Sequence, residues 1–190
     1  MKHTLTSLAA IACLGLAGTA AHAADGQIEF KGQLVDTSCT INLSGSAGSS
    51  GTVTLPTVSV ASLQNSGDKD GTTGFTISLT ECTLGDKNKA RVYFEPTAGV
   101  TVTPEGNLPN TLGGDPGSAQ NVQLRLLESD VLTPIVPGDK AGQEGSTFYT
   151  NLNPASGGTT VLQYYVQYYA VGKTTPGAVE SHAAFSVIYQ

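Results

Sequence analysis

Three cysteines and three histidines are the side chains here with the widest chemical reach: Cys13, Cys39, Cys82, His3, His22 and His182. Together they could make a zinc centre, or a nucleophile with its base. Their positions split the set. Lys2 leads an uncharged apolar run from Leu5 to Ala17 that closes on Ala21-His22-Ala23, the charge, length and small-x-small ending of a secretory signal peptide. A membrane span needs about 20 apolar residues, and Gly18-Thr19 ends this run sooner. Residues 1–23 are therefore expected to be a signal peptide cleaved after Ala23, taking Cys13, His3 and His22 with them.

What remains is His182 near the C-terminus and the pair Cys39 and Cys82. A lone histidine with no paired nucleophile makes no triad, and one histidine with two cysteines falls short of the three or four ligands zinc takes. Two cysteines in an exported chain read as one disulfide, because the destination is oxidising. That bridge closes a loop of 44 residues, for which the chain-entropy estimate is about 4 kcal/mol.

Two further segments imitate ligand sites. Ser66-Gly67-Asp68-Lys69-Asp70-Gly71 begins like a calcium loop, but Ser66 holds the first position and Ile77 the twelfth, where a glutamate belongs. It reads as a solvated turn. Gly172-Lys173-Thr174 resembles the end of a phosphate loop, yet Gln167 occupies the place of the leading glycine, inside an apparent strand. Any two of the 15 acidic residues could form a glycosidase pair, and nothing singles two out. No catalytic residue, metal or cofactor is expected, and the chain does not read as an enzyme.

The elements that must position these residues are strands. Period-two alternation recurs at Thr52–Leu55, Phe75–Leu79, Arg91–Phe94, Val122–Leu126, Thr159–Val171 and Ala183–Tyr189, and no long window shows helical spacing. Between them lie the turn-forming clusters Ser44–Gly51, Asn65–Gly74, Asn110–Gly117 and Asn153–Gly158. Without its leader the 190-residue chain keeps 167 residues, with 8 basic against 15 acidic side chains and a formal charge of −7. That length supports one domain, and the acidic balance argues against nucleic acid as a partner. The expected fold is all-β, an antiparallel sandwich of immunoglobulin-like type.

The two ends of the mature chain carry most of the information. From Ala24 the sequence runs through Ile28, Phe30, Gly32 and Leu34, which share one strand face, with Gln27, Glu29, Lys31 and Gln33 on the other. At the far end Ala183, Phe185, Val187 and Tyr189 alternate in the same way up to Gln190. A strand at a chain end often forms a sheet edge or pairs outside its own chain.

With these residues in place, the sequence resembles the major subunits of chaperone–usher fimbriae, the type 1 pilin-like family. The resemblance covers essentially the whole mature chain. It rests on the G-x-I-x-F-x-G-x-L pattern of Gly26 to Leu34 ahead of Cys39, on Leu55-Pro56 before a glycine-rich stretch, and on Phe75 to Cys82. It continues through Val92-Tyr93-Phe94, Gly177, and the close at Phe185-Ser186-Val187-Ile188-Tyr189-Gln190 with its penultimate tyrosine.

The family implies an incomplete immunoglobulin-like sandwich that lacks its last strand and is completed in trans by donor-strand exchange. On that pattern residues 24–32 are the N-terminal donor-strand extension and 33–190 the pilin domain. Ile28, Phe30 and Leu34 are the donor-strand anchors, Gly32 is the position where a side chain would not fit, and Leu34 stands where donor stretch and domain meet. Phe185, Val187, Tyr189 and Gln190 form the C-terminal strand that pairs with a periplasmic pilus chaperone. The implied partners are other copies of the chain, that chaperone, an outer-membrane usher and a tip adhesin. The implied location is the periplasm, then the extracellular fimbrium used in cell adhesion. The implied function is a structural subunit of an adhesive fimbria; the alternative is a minor adaptor or tip pilin, or an adhesin, of the same system. A two-domain adhesin would need a receptor-binding domain for which Cys39 follows the cleavage site too closely.

Overall fold

The computed structural model describes Glu29, Gly32, Leu34 and residues 36–44, 48–155 and 157–190. The fold below is that of the unit Leu34–Gln190; of the preceding unit, Met1–Gln33, only Glu29 and Gly32 are described. The signal peptide of residues 1–23 and the anchors Ile28 and Phe30 lie outside the described residues.

Strands dominate the described residues, in the order β1 Ser38–Leu43, β2 Lys69–Thr83, β3 Lys89–Pro96, β4 Leu108–Pro109, β5 Val122–Leu127, β6 Pro134–Ile135, β7 Thr150–Asn151, β8 Thr159–Ala170 and β9 Ala183–Tyr189. One short helix, α1 Lys140–Glu144, and a 3-10 turn, Val60–Ser62, complete them. One sheet runs β1-β2-β8-β5-β4 with β6 on β5, and the other runs β7-β3-β9. All of these strand pairs are antiparallel. The result is the expected immunoglobulin-like sandwich.

The alternation explains the layers. In β8, Thr160, Leu162, Tyr164 and Val166 are buried, while Val161 on the opposite face is half exposed. Leu162, Tyr164 and Val166 join Phe75, Ile77 and Leu79 of β2 and Leu124 and Leu126 of β5 against Ala90, Val92 and Phe94 of β3. The sheets meet at an aromatic trio. Phe94 stands edge-on to Tyr164 at 5.1 Å and to Phe75 at 6.2 Å, geometries that favour aromatic pairs. The Val92 N–H donates to the Tyr164 hydroxyl across the sandwich at 2.9 Å. Burial pushes the Tyr164 pKa up to about 12, so that hydroxyl stays protonated.

Cys39 and Cys82 are joined, tying β1 to the end of β2. Two expectations need correction. Asn65–Gly74 is not all turn: the strand begins at Lys69 and pairs with Tyr169 of β8, and a bulge between Asp70 and Thr73 takes up Gly71 at φ 65°. Thr52–Leu55 keeps its alternation, with Val53 and Leu55 turned inward and Thr52 and Thr54 exposed, but belongs to no ladder. Its side-chain pattern is that of a strand whose neighbour is not among the described residues.

Candidate functional site

A groove of about 630 Å³ runs along the sandwich beside β9. One wall is Gly51–Leu55, which pairs with no strand among the described residues, and the other is Val179–Ala183 with Phe185. Its floor is hydrophobic core, including Phe75, Ile77, Phe94, Leu124 and Val166. Past Tyr168 and Val179, which line both spaces, it continues into a second hollow of about 480 Å³ walled by Val58, Val60, Leu63 and Val122.

β9 explains why the core is open here. Its register on β3 pairs Phe185 with Phe94, Val187 with Val92 and Tyr189 with Ala90. Just beyond, Lys89 N–H donates to the Gln190 carbonyl at 3.0 Å and Gln190 N–H to the Lys89 carbonyl at 2.9 Å. A reciprocal pair at that point fixes the alternation of an antiparallel ladder. Ile188 and Ser186 turn their backbone groups toward β3, whereas Phe185, Val187 and Tyr189 turn theirs to the outer edge. Among the described residues β9 pairs with β3 alone. The side chains of Ala183, Phe185, Val187 and Tyr189 pack against the core yet are only half buried. Burial raises the Tyr189 pKa, opposed by a hydrogen bond to the Cys39 backbone, which holds the end of β9 at the disulfide.

Gly177, at the approach to β9, has a physical reason to be glycine. A Cβ there would lie 2.3 Å from the Ala119 nitrogen and the Ser118 carbonyl carbon, closer than any side chain permits. The crossing is fixed by Ala119 N–H to the Ala178 carbonyl and Ala178 N–H to the Gly117 carbonyl, both 2.9 Å.

The sequence-derived sites fall out unequally. Leu34 is fully exposed, and Gly32 has no heavy atom within 4 Å of where a Cβ would sit. His182 is exposed and pairs with Glu180 at 3.0 Å on the groove rim. Asp68 accepts from the Asn65 N–H, and Asp70 from the Ser62 hydroxyl and Gly71 N–H, so the calcium-like segment is tied up by its own donors. Thr174 bonds to the Leu63 carbonyl through both N–H and hydroxyl. Sequence reasoning missed Gln143 of α1. Its Oε1 accepts from Phe94 N–H at 2.8 Å, and its Nε2 donates to the Phe94 and Val136 carbonyls at 2.9 Å. A glutamine in a polar loop carries no signal that it will act as a strand's neighbour.

The described residues form an immunoglobulin-like sandwich in which β9, the last strand, pairs on one side only and the core is open beside its start. Residues 55–190 match the FimA family, described as type-1 fimbrial protein, A. The chain belongs to that family: it is a structural pilin subunit that polymerises into a fimbria. It is 39% identical over 178 residues to the major fimbrial subunit SMF-1 of Stenotrophomonas maltophilia (strain K279a), covering 93% of this chain and 99% of that one. It is 33% identical over 193 residues to the minor fimbrial subunit HifD of Haemophilus influenzae, covering 97% and 82%. The crystal structure of the P pilus rod subunit PapA matches the fold with a TM-score of 0.54 at 17% identity, over 80% of this chain and 99% of that one.

Proposed function

We propose that the groove between β9 and Gly51–Leu55 receives residues 24–32 of the next copy, and that this is how the subunits are joined. The observation that carries the reading is the outer edge of β9, where backbone groups of Phe185, Val187 and Tyr189 face away from β3 and Phe185 lines a groove with an apolar floor. Main-chain hydrogen bonds to that edge give affinity, and alternate side chains entering the floor give register. Ile28, Phe30 and Leu34 are spaced to supply them, and Gly32 is the position where a side chain would not fit. Burying three such anchors is worth roughly 5–9 kcal/mol before ordering costs. The Ser181 hydroxyl, buried in the groove wall without a partner among the described residues, gains one from an incoming strand.

Before assembly the same edge is covered by a periplasmic chaperone strand pairing with Phe185, Val187 and Tyr189, with the Gln190 carboxylate held by chaperone cations. An outer-membrane usher is the site of exchange, and a signal peptide of residues 1–23 brings the chain there. Full-length similarity to a major subunit favours the abundant structural role. Deleting residues 24–32 tests the reading: the chain is expected to accumulate bound to the chaperone and to form no fimbriae. Normal fimbriae from that variant would overturn it.

A further inference from the structure

The β5–β6 hairpin holds an apolar tip in solvent. Of the five large apolar side chains that stand well exposed among the described residues, three fall within six positions: Val131 at 38%, Leu132 at 80% and Val136 at 37%. The tip is tightly built. Asp130 Oδ1 accepts from the N–H groups of Leu132 and Thr133, both at 2.9 Å, and its Oδ2 accepts from the Thr133 hydroxyl at 2.6 Å. Glu128 N–H donates to the Thr133 carbonyl at 2.9 Å. At the hairpin base the Glu128 carboxylate meets Arg91 of β3 at 2.7 Å, both side chains being buried. Val131 sits at φ 63°, where a β-branched residue is strained and glycine or asparagine would be at ease. Strain and exposure thus coincide at a fixed tip, and neither Val131 nor Leu132 lines the groove.

We infer that Val131 and Leu132 form a lateral contact with another copy of this chain in the fimbria, away from the strand-exchange joint. The size of the patch selects the occupant. Two side chains cannot approach the roughly 1,200 Å² of a specific free interface, so a diffusing partner would not be held. A copy already linked through the polymer is present at an effective concentration on the order of millimolar, and there a small apolar contact is occupied. Charge points the same way: copies without their leader, with a formal charge of −7, repel one another, so contacts between them favour uncharged surface. The inference rests on fimbrial assembly and not on which segment donates the strand.

The test is to replace Leu132 with cysteine (L132C) in the full chain and compare maleimide labelling in the chaperone-bound subunit and in purified fimbriae. Labelling is expected to be at least tenfold slower in fimbriae, and equal rates would overturn the contact. If L132C yields no fimbriae, hydroxyl-radical footprinting of the unaltered chain reads the same surface. Oxidation at Val131 and Leu132 is then expected to fall severalfold on assembly, and unchanged oxidation would overturn the contact while leaving the donor-strand joint untouched.

Discussion

The two edges of the three-stranded sheet are finished in opposite ways. Along β3 the edge away from β9 is closed from within: β7 pairs with Lys89 and Ala90, the Tyr164 hydroxyl takes Val92 N–H, and the Gln143 amide takes both polar groups of Phe94. Along β9 the outward groups of Phe185, Val187 and Tyr189 meet no strand among the described residues. An open strand edge is an invitation to pair with another chain. One side of β3 is thus closed with side chains, while the outer side of β9 has no strand among the described residues, and on the proposed reading that is where a strand is added. β8 sharpens the contrast. Its inward residues Leu162, Tyr164 and Val166 are buried, whereas the equally alternating Phe185, Val187 and Tyr189 are only half buried, because among the described residues β8 has a neighbour on each side and β9 has one.

Changes to the open edge should therefore abolish function, and changes to the closed edge should only weaken the fold. The largest effect is expected from Val187→Pro. It removes an outward N–H and spares the hydrogen bonds to β3, a position where a sheet tolerates proline. Chaperone co-purification and fimbriae should both be lost, and wild-type levels of both would show that this edge is not used. Next is Gln143→Leu, which leaves the Phe94 N–H without its acceptor while the Phe94 carbonyl keeps the Gly138 N–H, and should cost about 1–3 kcal/mol. Guanidinium unfolding of purified fimbriae, followed by circular dichroism, reads that loss, and fimbriae should still form. Smaller again is Tyr164→Phe, which orphans Val92 N–H at a cost of about 1–2 kcal/mol in the same assay.

The smallest effect concerns pH at the base of the hairpin. Burial raises the Glu128 pKa despite the attraction of Arg91. The folded state therefore binds the proton more tightly than the unfolded chain. Stability from this group is greatest below the ordinary carboxylate range and is lost as pH rises through the raised value. Relative to Glu128→Gln, the native chain should gain stability on mild acidification, and a pH-independent difference would count against the burial argument.

Much of this was legible in the sequence because alternation is a local signal. Ala183–Tyr189 matches the observed strand, and Thr159–Val171 differs from it by one residue at the end. Cys39-Thr40-Ile41-Asn42-Leu43 also alternates, and on that pattern β1 could have been found. The errors have physical causes. At Thr52–Leu55 the pattern is that of a strand, but a strand is defined by its partner. At Asn65–Gly74 a cluster of turn formers hides a bulge inside β2, and only pairing with β8 distinguishes a bulge from a turn. The groove itself lies where β9 has no second neighbour among the described residues, a feature of pairing that no single residue encodes. The alternation of Ile28, Phe30 and Leu34 hints at what fills it, and resemblance to fimbrial subunits turned that hint into an expectation.

A cryo-electron microscopy map of the native fimbria tests the central claim most directly. The account predicts an extended segment of the neighbouring copy between β9 and Gly51–Leu55, hydrogen-bonded to Phe185, Val187 and Tyr189, with Ile28 and Phe30 directed into the core. Subunits joined elsewhere, with no strand along β9, would contradict it.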